Sequence, residues 1–477
     1  MQTLNKKYGL FTAICMVVGI VIGSGIFFKA KDVLTAANGN ALYSILAWLI
    51  SGLIMVVIAT SFAVMATKYE KVNGVVDYAE ATCGKTYAYL VGWFLSVVYY
   101  PAMTSVLAWV SARYTLVIMG YIEAPLFVLG SSASSSLNSP ETITVALLYL
   151  VLAYFVNAIA PTVAGRFQIS STAVKLVPIA FIAVVGSIIG LVNGTLVTNF
   201  DFSSINVDEI KTTGSTGLFP AICSTIFAYE GWIVATAINS EIKDSKKNLP
   251  IALCAGTLII VAAYTLYNIG ILGLADIVSV TNNGTTVAFK FFGGAMSTII
   301  NILVVISCLG TLNGLMLGCC RGIYSLSARG EGISPEVFNQ VDKKTGIPHN
   351  SCSFALLVSA MWFVYFIFAG GGFFDWPVMN EYGFDSSELP IITIYPLYIP
   401  ILVIMMIKEK DVHPFKRFVL PITSVLGICV IVAASIIKHG MDNVWYLIVF
   451  AVIMAFGYLV LKLNERKFKA TNPSVDE

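Results

Sequence analysis

The sequence predicts an all-helical protein that crosses a membrane about twelve times. Of its 477 residues, 57% are hydrophobic and 11% are charged, where a water-soluble chain of this size holds about a quarter charged. The apolar residues gather into runs longer than 18 residues, the length that spans a bilayer. A third observation orders the runs. With the N-terminus inside, 21 of the 28 Lys and Arg fall in inner loops and ends. Five fall in outer loops (Lys29, Lys31, Lys211, Lys290 and Lys438), while Arg113 and Lys175 fall within spans. Such a bias sets orientation, so both termini are expected in the cytoplasm of a cell-membrane protein. An odd number of spans would scramble the alternation.

The spans are placed at 10–36, 41–67, 86–119, 141–160, 167–192, 216–240, 249–274, 292–320, 351–369, 390–407, 416–437 and 442–463. The first run follows Lys6 and Lys7, as a leader would, but it lacks a small-residue cleavage site and eleven further spans follow. It reads as span 1. The loop at 68–85 mixes polar and apolar residues and predicts a short amphipathic helix at the inner surface. The outer loop at 370–389 is Gly-rich and then acidic, and residues 464–477 form a polar cytoplasmic tail.

Composition excludes several classes. No basic stretch is interleaved with aromatics in the manner of a nucleic-acid binder. The histidines, His349, His413 and His439, lie in loops or at span ends, and no nucleophile–base motif is present, so an enzyme is not expected. No filter motif marks a channel. The nine cysteines lie in apolar spans or on the inner side, which argues against disulfides, and no metal site or cofactor is expected. Asn193-Gly194-Thr195 and Asn283-Gly284-Thr285 match the glycosylation pattern on outer loops, without expected consequence in a bacterium.

Two spans carry an interruption near mid-membrane: Gly23-Ser24-Gly25-Ile26 in span 1, and Phe227-Ala228-Tyr229-Glu230-Gly231-Trp232 in span 6. Each lies ~20 Å along its helix at 1.5 Å per residue. Breaks at matching positions in two halves point to a transport site between inverted repeats. Spans 1–5 (about 10–192) and 6–10 (about 216–407) would be the repeats. The last two helices (about 416–463) would stand outside them, all within one transport domain, 1–463. Unwound backbone in lipid must find other partners. The half-helix starting near Ile26 presents free amides suited to a carboxylate. The half-helices ending near Ile22 and Phe227 present carbonyls suited to an ammonium. An α-amino acid carries both charges a few ångströms apart.

The opening GLFTAICMVVGIVIGSGIF resembles the first span of the amino acid–polyamine–organocation superfamily. The segment FAYEGWIVATAINSEIKDSKKNLPIAL resembles the span-6 signature of its L-type amino acid transporter branch, which includes bacterial serine/threonine and alanine–serine–cysteine exchangers. The resemblance covers most of the chain. It implies the leucine-transporter fold of five plus five inverted repeats with two added helices, and alternating access. It also implies a substrate carboxylate at Ser24, Gly25 and Ile26, beside Gly23. The amino group would lie at Ile20 or Val21 with the carbonyls of Phe227, Ala228 and Glu230, next to Tyr229, and Phe227 would be the lid. Trp109, Tyr264 and Asn313 are further pocket candidates.

Lys175 lies about nine residues into span 5, too deep to snorkel easily. The resemblance puts its ammonium where sodium-coupled relatives of the fold bind a cation, bridging spans 1 and 5 near Gly23. Either it stays charged and the carrier exchanges amino acids, or it titrates and couples them to protons. Glu230 is expected to face water, a serine or Lys175, and it leaves a basic substrate open. Arg113, near the outer end of span 3, is able to snorkel, and a structural role is expected of it. The expected cargo is a small to medium neutral L-amino acid: alanine, serine, threonine or cysteine. Animal members offer a cysteine between spans 3 and 4 for a heavy chain. Residues 120–140 hold none here, so a monomer with no covalent partner is expected.

Overall fold

The computed structural model describes residues 9–69, 74–120, 139–210, 212, 214–233, 236, 242–342, 346–369 and 382–471. Its long helices are α1 (Leu10–Val21), α2 (Gly25–Ala36), α3 (Ala41–Lys68), α4 (Val75–Cys83), α5 (Lys85–Ile118), α6 (Pro140–Ile159), α7 (Val163–Val192) and α8 (Leu218–Tyr229). They continue with α9 (Ser245–Leu274), α10 (Gly294–Ser327), α11 (His349–Ala369), α12 (Leu389–Lys408), α13 (Phe415–His439) and α14 (Asp442–Thr471). Among the described residues, ten helices are long and apolar enough to cross a membrane. The pair α1 and α2, bent by 48°, makes one further broken span, and α8 is a shorter apolar helix where span 6 was expected.

Local chemistry accounts for the helix boundaries. Asn40 caps α3 by accepting a 3.0 Å bond from the Tyr43 N–H. Ser139 caps α6 with Pro140 at its first position, where a missing N–H costs nothing. Within α5, Pro101 cannot donate to the Val97 carbonyl. The chain forms a π turn over Leu95–Tyr99, and the Trp362 indole N–H fills the vacant acceptor at 2.8 Å. That π turn aims Tyr99 toward the middle of the bundle.

The packing partners exchange in a regular way. α1 packs on α9 where α8 packs on α3, and α3 also packs on α9, as α5 does on α10. In span numbers, 1 meets 7 as 6 meets 2, the relation expected of two repeats offset by five. α7 and α9 approach through glycines: a Cβ on Gly186 would strike Gly270, and one on Gly190 would strike Gly273. Outside the core, Leu147, Leu148, Leu152 and Phe155 on α6 and Leu447, Val452, Phe456 and Leu459 on α14 are exposed. A belt of this kind is covered by lipid in a membrane and would drive aggregation in water.

The expected helix in the 68–85 loop is α4, but it is mostly buried rather than surface-lying: Val75, Val76, Asp77 and Tyr78 are all covered. The reason is a docked ion pair, since Arg329 reaches both Asp77 and Glu80. At the same end Lys68 pairs with Glu409 and Asp411.

Candidate functional site

Span 1 breaks because Ile22 turns to extended backbone after donating its N–H to Val18 O at 2.8 Å. Close packing on both sides holds the break open. A Cβ on Gly23 would strike Thr311, and one on Gly25 would strike the Ala228 backbone. The next helix restarts at once, with the Phe27 and Phe28 N–H groups bonding Ser24 O at 3.0 and 2.9 Å. The amides of Gly25 and Ile26 begin that helix and have no preceding turn to bond. Ser24 Oγ, on a residue only 1% exposed, has no hydrogen-bond partner among the described residues.

Span 6 breaks after Tyr229. Glu230 is extended, and Gly231 has φ +107°, a conformation that L side chains rarely adopt. Gly231 lies against Ile20, so the two breaks are side by side. Tyr264 bridges them: its hydroxyl contacts Val21 O and Ala228 O, each at 3.1 Å. It therefore joins the two broken ends.

Lys175 is fully buried and bridges spans 1, 5 and 8, bonding Gly19 O at 2.8 Å and Thr311 Oγ1 at 2.9 Å. The expected contact near Gly23 is corrected by one helical turn. Gly23 is instead packed on Thr311, a residue that nothing local to the sequence marked.

The expectation for Glu230 is also corrected. Its carboxylate accepts from Tyr99 Oη at 2.6 Å and Tyr395 Oη at 2.8 Å, and faces neither a serine nor Lys175. The tyrosines come from α5 and α12, 131 and 165 residues away. Tyr229 turns away from the breaks, bonding Trp48 O at 2.7 Å. Asn313 is tied to Asn157 at 2.9 Å and Ala164 O at 3.2 Å, next to α6 and α7. Trp109 is buried against Phe28 and Phe366. Arg113 is 2% exposed with its guanidinium over the Trp109 ring, so it does not snorkel.

Phe227 packs edge-to-face on Phe28 with centroids 6.0 Å apart, and Lys29 Nζ lies 5.7 Å from the Phe227 ring. Lys29, expected in an outer loop, is thus inside the bundle with 1% exposure, and Lys31 is buried too. The Lys29 ammonium bonds Glu388 at 2.6 Å. Lys438 Nζ reaches the two oxygens of Glu388 at 2.9 and 2.7 Å, and His439 Nε2 lies 3.0 Å from one of them. Lys438 also bonds Ser224 Oγ at 2.7 Å. One fully buried carboxylate therefore ties α2, α8, α12 and α13 together, and its Lys29 partner lies against the Phe28 and Phe227 rings. Cys223, Glu388 and His439 offer donor atoms within 4.8 Å of one another, but two ammonium groups already hold the carboxylate.

Helices on all sides, a lipid-facing belt, and two unwound segments meeting in the middle define a membrane transporter. The chain belongs to the amino acid permease family, whose profile matches residues 8–458. It is 28% identical over 451 residues to the serine/threonine exchanger SteT of Bacillus subtilis (strain 168), covering 92% of this chain and 93% of that one. It is 26% identical to the b(0,+)-type amino acid transporter 1 of Mus musculus, over 84% of this chain and 81% of that protein. A third relative, the large neutral amino acids transporter small subunit 2 of Mus musculus, is 29% identical over 76% of this chain and 65% of its own. The protein is an amino acid transporter and not an enzyme.

Proposed function

We propose that this chain is a sodium-independent exchanger of small to medium neutral L-amino acids, working by alternating access between the repeats 10–192 and 216–407. Its substrate site is the meeting point of the two breaks. The buried Ser24 hydroxyl, without a hydrogen-bond partner among the described residues and beside the first amides of α2, is the observation that carries this reading. Those groups suit a carboxylate at a helix N-terminus. The carbonyl ends of α1 and α8 on the other side suit the ammonium. The similarity to a serine/threonine exchanger supports the substrate class.

Sodium independence rests on Lys175. Its ammonium holds Gly19 O and Thr311 Oγ1, oxygens of the kind that would otherwise ligate a cation. The charge bias of the loops supports a cell-membrane protein with both termini cytoplasmic, and the absence of cysteine from 120–140 supports a monomer without a covalent heavy chain. A second reading, proton symport, draws on the same lysine: its bonded partners are neutral oxygens, so its proton is not pinned by a carboxylate.

One measurement separates the two. Labelled serine uptake is followed in proteoliposomes with and without internal amino acid, at equal salt and no pH gradient. Uptake only into loaded vesicles supports obligatory exchange. Uptake into empty vesicles that rises with an imposed proton gradient supports symport and overturns exchange.

A further inference from the structure

Residues 408–417, from the end of α12 into the first turn of α13, carry more cations than the chain itself neutralises. Lys408 bonds the Ala81 and Thr82 carbonyls of α4 at 3.2 and 2.7 Å. The two acids of the segment, Glu409 and Asp411, both pair with Lys68. Lys410, Lys416 and Arg417 pair with no carboxylate among the described residues, and Lys410 and Lys416 are exposed. Arg417 differs from a loose surface cation. Its backbone N–H bonds His413 O at 3.0 Å, its Nε donates to Met406 O at 2.7 Å, and its guanidinium lies 4.7 Å from the centre of the Phe418 ring. The side chain is thus held across from α13 to α12. Its two terminal nitrogens have no acceptor among the described residues.

A guanidinium fixed with those donors open is arranged to take two oxygens of one phosphate group. Holding it in place beforehand removes part of the entropy cost of binding. An apolar surface runs away from these charges. Phe418, Val419, Ile422 and Leu426 are exposed at helical spacing on α13, and Ile407 is exposed on the neighbouring α12. A free phosphate ion would meet the same donors but leave these apolar walls uncovered. A lipid with a negative headgroup satisfies both halves at once. We propose that Lys416 and Arg417 hold the headgroup of an anionic phospholipid, with its acyl chains along Ile407 of α12 and Phe418 and Ile422 of α13. The proposal does not depend on where the amino acid binds. A lipid held there sits on the end of α12 that also fastens α3 and α4.

The test uses the full chain purified in detergent, with size-exclusion profiles confirming folded protein, and reads lipid retention by native mass spectrometry. Phosphatidylglycerol and phosphatidylcholine with the same acyl chains are the probes. The parent retains the anionic lipid about tenfold better, and Lys416→Gln/Arg417→Gln brings the two lipids level. Equal retention of both lipids by the parent overturns the proposal, as does a variant that keeps the preference. Lys246→Gln/Lys247→Gln removes the same charge from exposed residues at the start of α9 and leaves the preference unchanged. An equal loss there makes the effect one of diffuse charge and overturns the site. Because Arg417 also braces Met406 O, Lys416→Glu serves where the double variant is not recovered. It puts a carboxylate beside the guanidinium at an exposed position and lowers the preference several-fold, and an unchanged preference overturns the proposal. Inorganic phosphate is then compared with chloride at equal ionic strength. The lipid stays bound in both, and selective displacement by phosphate overturns the lipid in favour of a soluble anion.

Discussion

Two groups of buried charges in this transporter are handled in opposite ways. Around Glu388 the charges are crowded together, with two ammoniums and an imidazole on one carboxylate, and four helices are joined by it. At the breaks, Lys175 and Glu230 are kept apart, each bonded only to neutral groups. Crowded opposite charges satisfy one another and act as a fastening. Separated charges keep their fields, which act on whatever lies near them. The first arrangement suits a seal that is made and broken as helices move. The second suits the zwitterion site proposed at the breaks.

The largest effect is expected at the contact between the breaks. Gly25→Val drives a branched side chain into the Ala228 backbone, and exchange is expected to fall by ~100-fold, as for other ångström-scale displacements at a working site. Initial uptake rates in loaded vesicles measure it, and near wild-type rates would move the site elsewhere. Next, Lys175→Met removes the ammonium that joins Gly19 to Thr311. A loss on the order of tenfold or more is expected, because two buried acceptors lose their donor. Exchange that survives unaltered would remove this charge from the cycle.

The contrast sharpens with a third variant. Glu388→Gln loosens the crowded cluster without touching the breaks, so Cys223, buried beside it, becomes accessible. In a background with the other cysteines replaced, an impermeant maleimide is expected to label Cys223 on the order of tenfold faster than in the parent. Unchanged labelling would show that the cluster does not seal this end.

The smallest effect is expected at the opposite end, where exposed Asp411 pairs with Lys68. The ammonium holds the Asp411 carboxyl below its ordinary value of 3.8. Stability from the pair is therefore complete above that value and is lost as pH falls through the lower folded one. Melting curves of Asp411→Asn and the parent should differ little at pH 7, less in high salt, and should merge in strong acid. A large difference at neutral pH in salt would make this pair a structural fastening like the Glu388 cluster.

The two breaks were legible in the sequence. G-S-G and the glycine after Glu230 are local signals, because a chain that must unwind and pack closely needs residues without side chains. Lys175 stood out because an ammonium that deep in an apolar run demands a reason. The partners were not legible. Glu230 is met by tyrosines from two distant helices, Lys175 reaches Gly19 and Thr311 in place of Gly23, and Lys29 turns inward to Glu388, 359 residues away. Lys29 misled because loop charges are counted by their distance from a span centre, and α2 carries it back into the bundle.

By itself, the sequence determined what hydrophobicity and backbone chemistry decide one segment at a time: helices long enough to span, the two places where they break, and the family they belong to. The tertiary structure alone decided which carbonyl each buried charge would occupy and which charges would meet. A helix fixes its own periodicity through bonds four residues apart. The partner opposite any one side chain depends on how helices tilt and slide against one another, and no local pattern carries that information.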